Sequence, residues 1–252
     1  MKVIFNGVLI PLEQSLCNEL GWLDGAGIFE TIKTVNGKPW ALSRHMRRAV
    51  NSSATVNIFL PSEELVRDSI GALLKEEVHT TGLLRLSFDA TGNWAAVHLA
   101  YKEVSSPAKV GTHPVALVMD GVPVKSYPYN HRLEILEQAR ANGFDEALVI
   151  SSDGKICEGS VTNVLLKIAG RWCTPPLSDG VLAGVMRALV IENCYVMVRS
   201  IAVSEIGDIE SAFLLSSLRI AQPISSIDGR ELSQSPEFRD EIEAMALRTS
   251  VG

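Results

Sequence analysis

Short apolar runs alternating with polar residues and punctuated by turn pairs fill the first hundred positions. KVIFNGVLI (2–10) reads as two strands hinged at Asn6-Gly7, and GIFETIKTVNGKPWALS (27–43) as two more joined at Asn36-Gly37. Asn-Gly is a favoured two-residue hairpin turn because both residues tolerate positive φ. The period then lengthens. RHMRRAVNSSATV (44–56) and PSEELVRDSIGALLKEE (61–77) read as helices. The second opens on Pro61-Ser62 with acidic residues behind it and sets Leu65, Ile70, Leu73 and Leu74 along one face. LLRLSFDATG (83–92) and WAAVHLAYKEV (94–104) predict a further hairpin.

SSPAKVGTHP (105–114) is small, polar and carries Pro and Gly, so it reads as a linker between a domain at 1–104 and another at 115–252. The second half predicts a strand, VALVMDG (115–121), and an amphipathic helix, NHRLEILEQARANG (130–143), with Gly143 where a C-cap glycine belongs. Two hairpins follow, turning at Asp153-Gly154 and Ala169-Gly170. Helix VMRALVIENC (185–194), strand AFLLSS (212–217) and helix SPEFRDEIEAMALRT (235–249) complete the chain. Mixed elements with many hairpins point to two α+β domains with largely antiparallel sheets.

Composition narrows the function. The chain has 252 residues, 46% of them hydrophobic, and a net charge of −6, enough apolar content for packed cores and too acidic for a protein that tracks nucleic acid. No apolar stretch approaches the roughly 18 residues that span a bilayer, and MKVIFNGVLIPLEQ lacks the features of a signal peptide. Cys17, Cys157, Cys173 and Cys194 are widely spaced, so neither a zinc site nor a disulfide framework is expected. The expected setting is the reducing cytoplasm, with no metal, no membrane and no nucleic acid as partner.

Several residues invite a chemical reading beside an ordinary one. Lys125 follows an apolar run; it is either a solvated strand-end lysine or an amine whose pocket makes it a nucleophile toward carbonyls. Glu158, in EGSVTN, is an exposed strand end or a carboxylate that keeps a pyridine nitrogen protonated. Asn163 is a turn residue or one whose amide holds that loop. Arg48, three residues beyond His45, is surface charge or a fork for phosphate. Gly184 opens a helix whose free amides suit an anion, and Ser216 and Ser217 add hydroxyls.

Taken in order, these segments resemble the fold-type IV pyridoxal-phosphate enzymes, the class IV aminotransferases. The resemblance rests on GAGIFETI (25–32), HMRRAVNSSA (45–54), LLRLSFDATG (83–92), NGFDEALVISSDGKICEGSVTNVLL (142–166), TPPLSDGVLAGVMR (174–187) and SSLRIAQPISSIDG (216–229). It implies a two-domain α+β architecture like that of D-amino-acid aminotransferase, with pyridoxal 5'-phosphate between the domains, the cofactor lysine in the second domain, a small-molecule substrate and a homodimer. By the family pattern Lys125 carries the cofactor and Glu158 takes the pyridine nitrogen. Arg48 takes the phosphate, helped by the Val185 and Met186 amides and by Ser217, while Asn163 supports the cofactor loop. Thr31 and Arg85 lie where substrate approaches, and Arg219 is placed to meet a carboxylate.

Within the family, G-V-M-R (184–187), Leu218-Arg219 and the short chain are most similar to 4-amino-4-deoxychorismate lyase. An aminotransferase for branched-chain or D-amino acids is the alternative, and a non-catalytic relative a second. Retention of Lys125, Glu158 and Arg48 speaks against the last. The usual aromatic-G-D-G is here Asp24-Gly25-Ala26-Gly27, and Ser216 stands for the lyase's Asn, departures that touch the substrate side more than the cofactor side.

Overall fold

The computed structural model describes residues 1–114 and 123–250. The chain forms two compact units: Met1–Glu103, Val124–Pro128 and the end from Thr249 make the first, and the described residues from Val104 to Pro123 with Tyr129–Arg248 make the second. Each is α+β and built on its own sheet.

In the first unit, β1 (Lys2–Phe5), β2 (Val8–Pro11), β3 (Gly27–Val35), β4 (Lys38–Pro39), β5 (Thr81–Asp89) and β6 (Trp94–Ala100) pair antiparallel in the order β2-β1-β6-β5-β3-β4. Both Asn-Gly turns have positive φ at both residues, 48° and 86° at Asn6-Gly7 and 49° and 72° at Asn36-Gly37. That is the turn whose twist matches the flanking strands. Helices α1 (Leu42–Val56) and α2 (Glu63–Glu76) cover one face. Helix α1 buries Leu42, Met46 and Ala49 in the same core as Ile28 and Ile32 of β3. The Ser62 hydroxyl accepts from the Leu65 amide at 3.3 Å and caps α2, with Glu63 and Glu64 in its first turn. The buried stripe of α2 runs through Val66, Ser69, Ile70, Leu73 and Leu74, at helical spacing; Leu65, which the sequence pattern puts on that face, is exposed.

The second unit begins with β7 (Ala108–Pro114), and β8 (Ser126–Tyr127) then returns to the first sheet to pair with β3. Onward come α3 (Asn130–Ala141), β9 (Glu146–Ile150), β10 (Ile156–Gly159), β11 (Asn163–Ile168), β12 (Arg171–Thr174), α4 (Val185–Asn193), β13 (Met197–Val198), β14 (Ile209–Ser216), β15 (Ile220–Ile227), β16 (Arg230–Glu231) and α5 (Pro236–Arg248). The sheet order is β10-β9-β7-β15-β14-β11-β12-β13, with β16 on β15. Val110, Leu148, Ile156, Val164, Leu214 and Ile224 meet in its core. Among the described residues no helix is long and apolar enough to cross a membrane.

Three expectations need correction. The segment 105–114 is no linker: Ala108–Pro114 is an interior strand, parallel to both β9 and β15, so this sheet is mixed where an antiparallel one was expected. Its Gly111 marks close packing, since a Cβ there would lie 2.5 Å from Phe144 Cδ2. Lys125 does not belong with the second unit. Its carbonyl accepts from the Phe29 amide at 3.0 Å, and Ser126 and Tyr127 sit opposite Ile28 and Gly27 of β3. The chain end also returns to the first unit, the Ala41 amide donating to the Ser250 carbonyl at 3.2 Å. The predicted strand VALVMDG lies outside the described residues.

A Gly111→Ala substitution should lower the unfolding free energy by about 1–3 kcal/mol through overpacking. Denaturant midpoints will check this, and the cost should shrink when Phe144 is replaced by Leu. An equal cost in both backgrounds would place the constraint elsewhere.

Candidate active site

In the first unit, strand alternation sends Ile28, Glu30 and Ile32 to the helix-covered face of β3 and Phe29 and Thr31 to the other. Glu30 is thus a carboxylate on an apolar face, and it is almost fully buried. Its oxygens are met by α1. Arg48 donates from Nε to Oε1 at 2.8 Å and from Nη2 to Oε2 at 2.5 Å, and His45 donates from Nδ1 to Oε2 at 2.6 Å. Residues 45 and 48 share a helix face, so one carboxylate holds both. Burial alone would push the Glu30 carboxyl up; the Arg48 charge and the hydrogen bonds from Arg48 and His45 overcome it and hold it at about 2. His45 lies below its ordinary value, because burial outweighs Glu30 and the Arg48 and Lys125 cations oppose its charge.

On the opposite face, the ring of Phe29 gathers two cations. Lys125 Nζ lies 4.4 Å from its centroid, and the Arg85 guanidinium carbon lies 5.8 Å from it and 4.1 Å from the centroid of Trp22. Trp22 in turn packs edge-on against Phe29 and tilted against Tyr127. Thr31 is directly opposite Arg85 in the β3–β5 register, so their side chains leave the sheet on the same side. Lys125, Arg85 and Thr31 are therefore brought to one aromatic face, while Arg48 sits with Glu30 on the other side of β3.

In the second unit, Glu158 of β10 is buried and each oxygen has donors. Arg132 Nη2, on α3, donates to Oε1 at 2.7 Å; Asn163 Nδ2 and the Leu182 amide donate to Oε2 at 2.9 and 3.0 Å. Asn163 Nδ2 also reaches the Leu182 carbonyl at 3.0 Å, tying β11 to the loop before α4. That loop ends at Gly184, where a Cβ would stand 1.8 Å from Asn163 Oδ1, so only glycine lets it approach. No side chain caps α4, and Val185 and Met186 supply its first amides.

Ser217 and Arg219 lie in the turn between β14 and β15. The Arg219 amide donates to Ser216 Oγ at 3.1 Å, and its Nη1 donates to Gln222 Oε1 at 3.1 Å. Arg219 Nη1 also stands 3.3 Å from Oε2 of the fully buried Glu146, an ion pair off the hydrogen-bonding direction. Oε1 of Glu146 accepts from the Ser160 amide and hydroxyl. Arg219, expected to meet a substrate carboxylate, is thus engaged by its own chain.

Glu30, Arg132 and Glu146 are absent from the residues singled out in the sequence. Glu30 had a signal, a charge at a core position of an alternating strand; Arg132 and Glu146 had none. The two donor sets nonetheless suit one kind of guest. A buried carboxylate with fixed donors serves a protonated ring nitrogen, and an uncapped helix start serves a phosphate.

Comparison with known proteins agrees. The sequence profile of amino-transferase class IV matches residues 27–227. The chain belongs to the class IV aminotransferase family. It is a pyridoxal 5'-phosphate-dependent enzyme, as this family's members are. It is 24% identical to the bifunctional aminodeoxychorismate lyase / D-amino acid transaminase of Mycobacterium tuberculosis, over 94% of each chain. It is 25% identical to the D-alanine aminotransferase of Bacillus licheniformis, over 92% of this chain and 90% of that one. The fold matches the branched-chain aminotransferase of Thermoproteus uzoniensis with a TM-score of 0.86 at 23% identity, covering 100% of this chain and 96% of the other.

The Glu30 cluster has a pH signature. A carboxyl at about 2 when folded and 4.5 ordinarily contributes stability that is complete above pH 4.5 and lost as pH falls toward 2. His45, held below 6.5 in the fold, adds to the same loss, because the unfolded chain takes up its proton first as pH falls below that value. Urea unfolding of Glu30→Gln against wild type should show a flatter loss of stability between pH 4.5 and pH 2 in the variant. Parallel curves would mean that Glu30 is not the group responsible.

Proposed function

We propose that this enzyme is a lyase converting 4-amino-4-deoxychorismate into pyruvate and 4-aminobenzoate. The observation that carries the reading is the aromatic face of β3, where Thr31 and Arg85 stand in register and the Lys125 amine shares the Phe29 ring with the Arg85 guanidinium. A flat, unsaturated, carboxylate-bearing ring suits that face, which offers stacking surface and a cation together. The G-V-M-R run at 184–187 and Leu218-Arg219 support the same subclass, as does the lyase activity in the mycobacterial relative's name.

Pyridoxal 5'-phosphate, when bound, supplies an electron sink conjugated to the substrate's amine nitrogen. Lys125 would hold the cofactor, and its Nζ, once free, would take the proton from the amine-bearing ring carbon. Glu158, its carboxylate fixed by Arg132, Asn163 and the Leu182 amide, holds the proton on the pyridine nitrogen. Arg48, its plane set by Glu30, is the first unit's candidate for the phosphate, and the Val185 and Met186 amides with the Ser217 hydroxyl are the second unit's. Asn163 keeps the carboxylate and the α4 loop in register. As the bond between ring carbon and ether oxygen breaks, the proton held on Nζ would pass through the Thr31 hydroxyl to the enolpyruvyl methylene, so that pyruvate leaves and the ring becomes aromatic. Arg85 would orient a substrate carboxylate, while Arg219 stays with Gln222 and Glu146.

A second reading, amino transfer from D- or branched-chain amino acids, draws on the names of the Bacillus and Mycobacterium relatives for the former and of the Thermoproteus enzyme for the latter. There Lys125 would carry the proton between the amino-acid Cα and the cofactor carbon. We take the enzyme to be cytoplasmic and homodimeric, so light scattering should give about twice the 27.3 kDa of one chain.

Incubation with aminodeoxychorismate and no keto acid decides between the readings. The lyase releases equal amounts of pyruvate and 4-aminobenzoate, and Lys125→Ala should lower that rate by about a thousandfold or more. Keto-acid-dependent amino transfer with neither product formed would replace the lyase by the aminotransferase.

A further inference from the structure

Arg132 carries more donors than its ion pair uses. It is the third residue of α3, and its Nη2 donates to Glu158 Oε1 at 2.7 Å. Its Nη1 is also buried, and among the described residues it has no hydrogen-bond partner. A guanidinium N–H removed from water without an acceptor is costly, and the cost is greater for a charged group. The geometry of the guanidinium fork adds a second constraint. With Nη2 on Glu158, the rigid planar fork carries Nη1 on its buried side. The orphaned donor is therefore aimed, and it belongs to the residue that fixes the carboxylate.

An acceptor for it follows from the chemistry of the group that Glu158 serves. The pyridoxal ring carries a phenolic oxygen on the carbon next but one to its nitrogen, and in the ionised form that oxygen is a strong acceptor. We propose that Arg132 is a cofactor-binding residue whose Nη1 donates to this oxygen while its Nη2 holds Glu158. The proposal rests on the reading of Glu158 as partner of the pyridine nitrogen. One guanidinium then serves two atoms on the same ring edge, directly at the oxygen and through the carboxylate at the nitrogen. The acceptor required is an anionic or strongly polarised oxygen, since a charge-assisted bond offsets the desolvation of the cation.

The test is a binding cycle between one side chain and one ligand atom. Apoenzyme is titrated with pyridoxal 5'-phosphate and with its 3-deoxy analogue, and affinity is read from quenching of tryptophan fluorescence. Loss of the oxygen weakens the analogue for its own chemical reasons in every protein, so the informative quantity is the difference between proteins. Wild type should lose roughly tenfold more affinity for the analogue than Arg132→Met does, as expected for a hydrogen bond to a charged group. Arg132→Lys keeps a cation beside Glu158 but lacks the fork. It should stay folded by circular dichroism and show the small loss of Arg132→Met, and it carries the test if the methionine variant does not fold. The same loss in wild type and in either folded variant would overturn the assignment of Nη1 while leaving the role of Glu158 standing. Wild type that binds neither compound would overturn both.

Discussion

A carboxylate withdrawn from water is costly unless donors meet it, and each unit of this protein is organised around one that has donors on both oxygens. Glu158 draws donors from α3, from β11 and from the loop before α4, so one side chain fixes the relative placement of three segments far apart in sequence. The glycine at 184 follows from it, because the loop reaches Asn163 only without a Cβ. In the first unit Glu30 does the corresponding work between β3 and α1, taking a guanidinium and an imidazole that one helical turn presents together. Hydrophobic burial sets where the sheets and helices lie. The two carboxylates set the finer alignment that chemistry requires.

This division explains why one scaffold can house relatives named for elimination and for amino transfer. On the proposed reading, binding a ring nitrogen and a phosphate is the common task, and it falls to buried groups whose partners are inside the same unit. What differs is the surface that meets substrate. On the reading proposed above, that surface is here Trp22, Phe29 and Arg85, stacked and charge-bearing, with Thr31 beside them. If Lys125 takes the proton as proposed, a change of reaction needs a different destination for that proton and leaves the buried carboxylates untouched.

Much of this was legible in the residue pattern. The Asn-Gly turns, the Ser62 cap, Gly143 at positive φ beyond α3 and the hairpins of the second half lie where local chemistry put them. The failures share a cause. At 105–114, glycine and proline imitate a linker, and only the ring of Phe144, distant from Gly111 in sequence, shows that the glycine serves packing. Leu65 and Val66 differ by one helical position, which short-range periodicity resolves poorly. Lys125 was visible as a residue, but its unit was not, because membership depends on two residues of pairing with a strand a hundred positions earlier. Arg132 was silent for a similar reason: an arginine near a helix start looks the same whether it meets solvent or a buried acid.

The path of the chain has a consequence for how the protein comes to be made. The first sheet includes Ser126–Tyr127, and the start of α1 is bonded to the carbonyl of Ser250. A nascent chain that has released residues 1–103 still lacks an edge of its first sheet, and that unit closes fully only once residue 250 has been made. The two units therefore cannot be severed into halves by one cut and expressed separately. Their completion is interlocked in time, and the lysine arrives on the very segment that seals the earlier sheet.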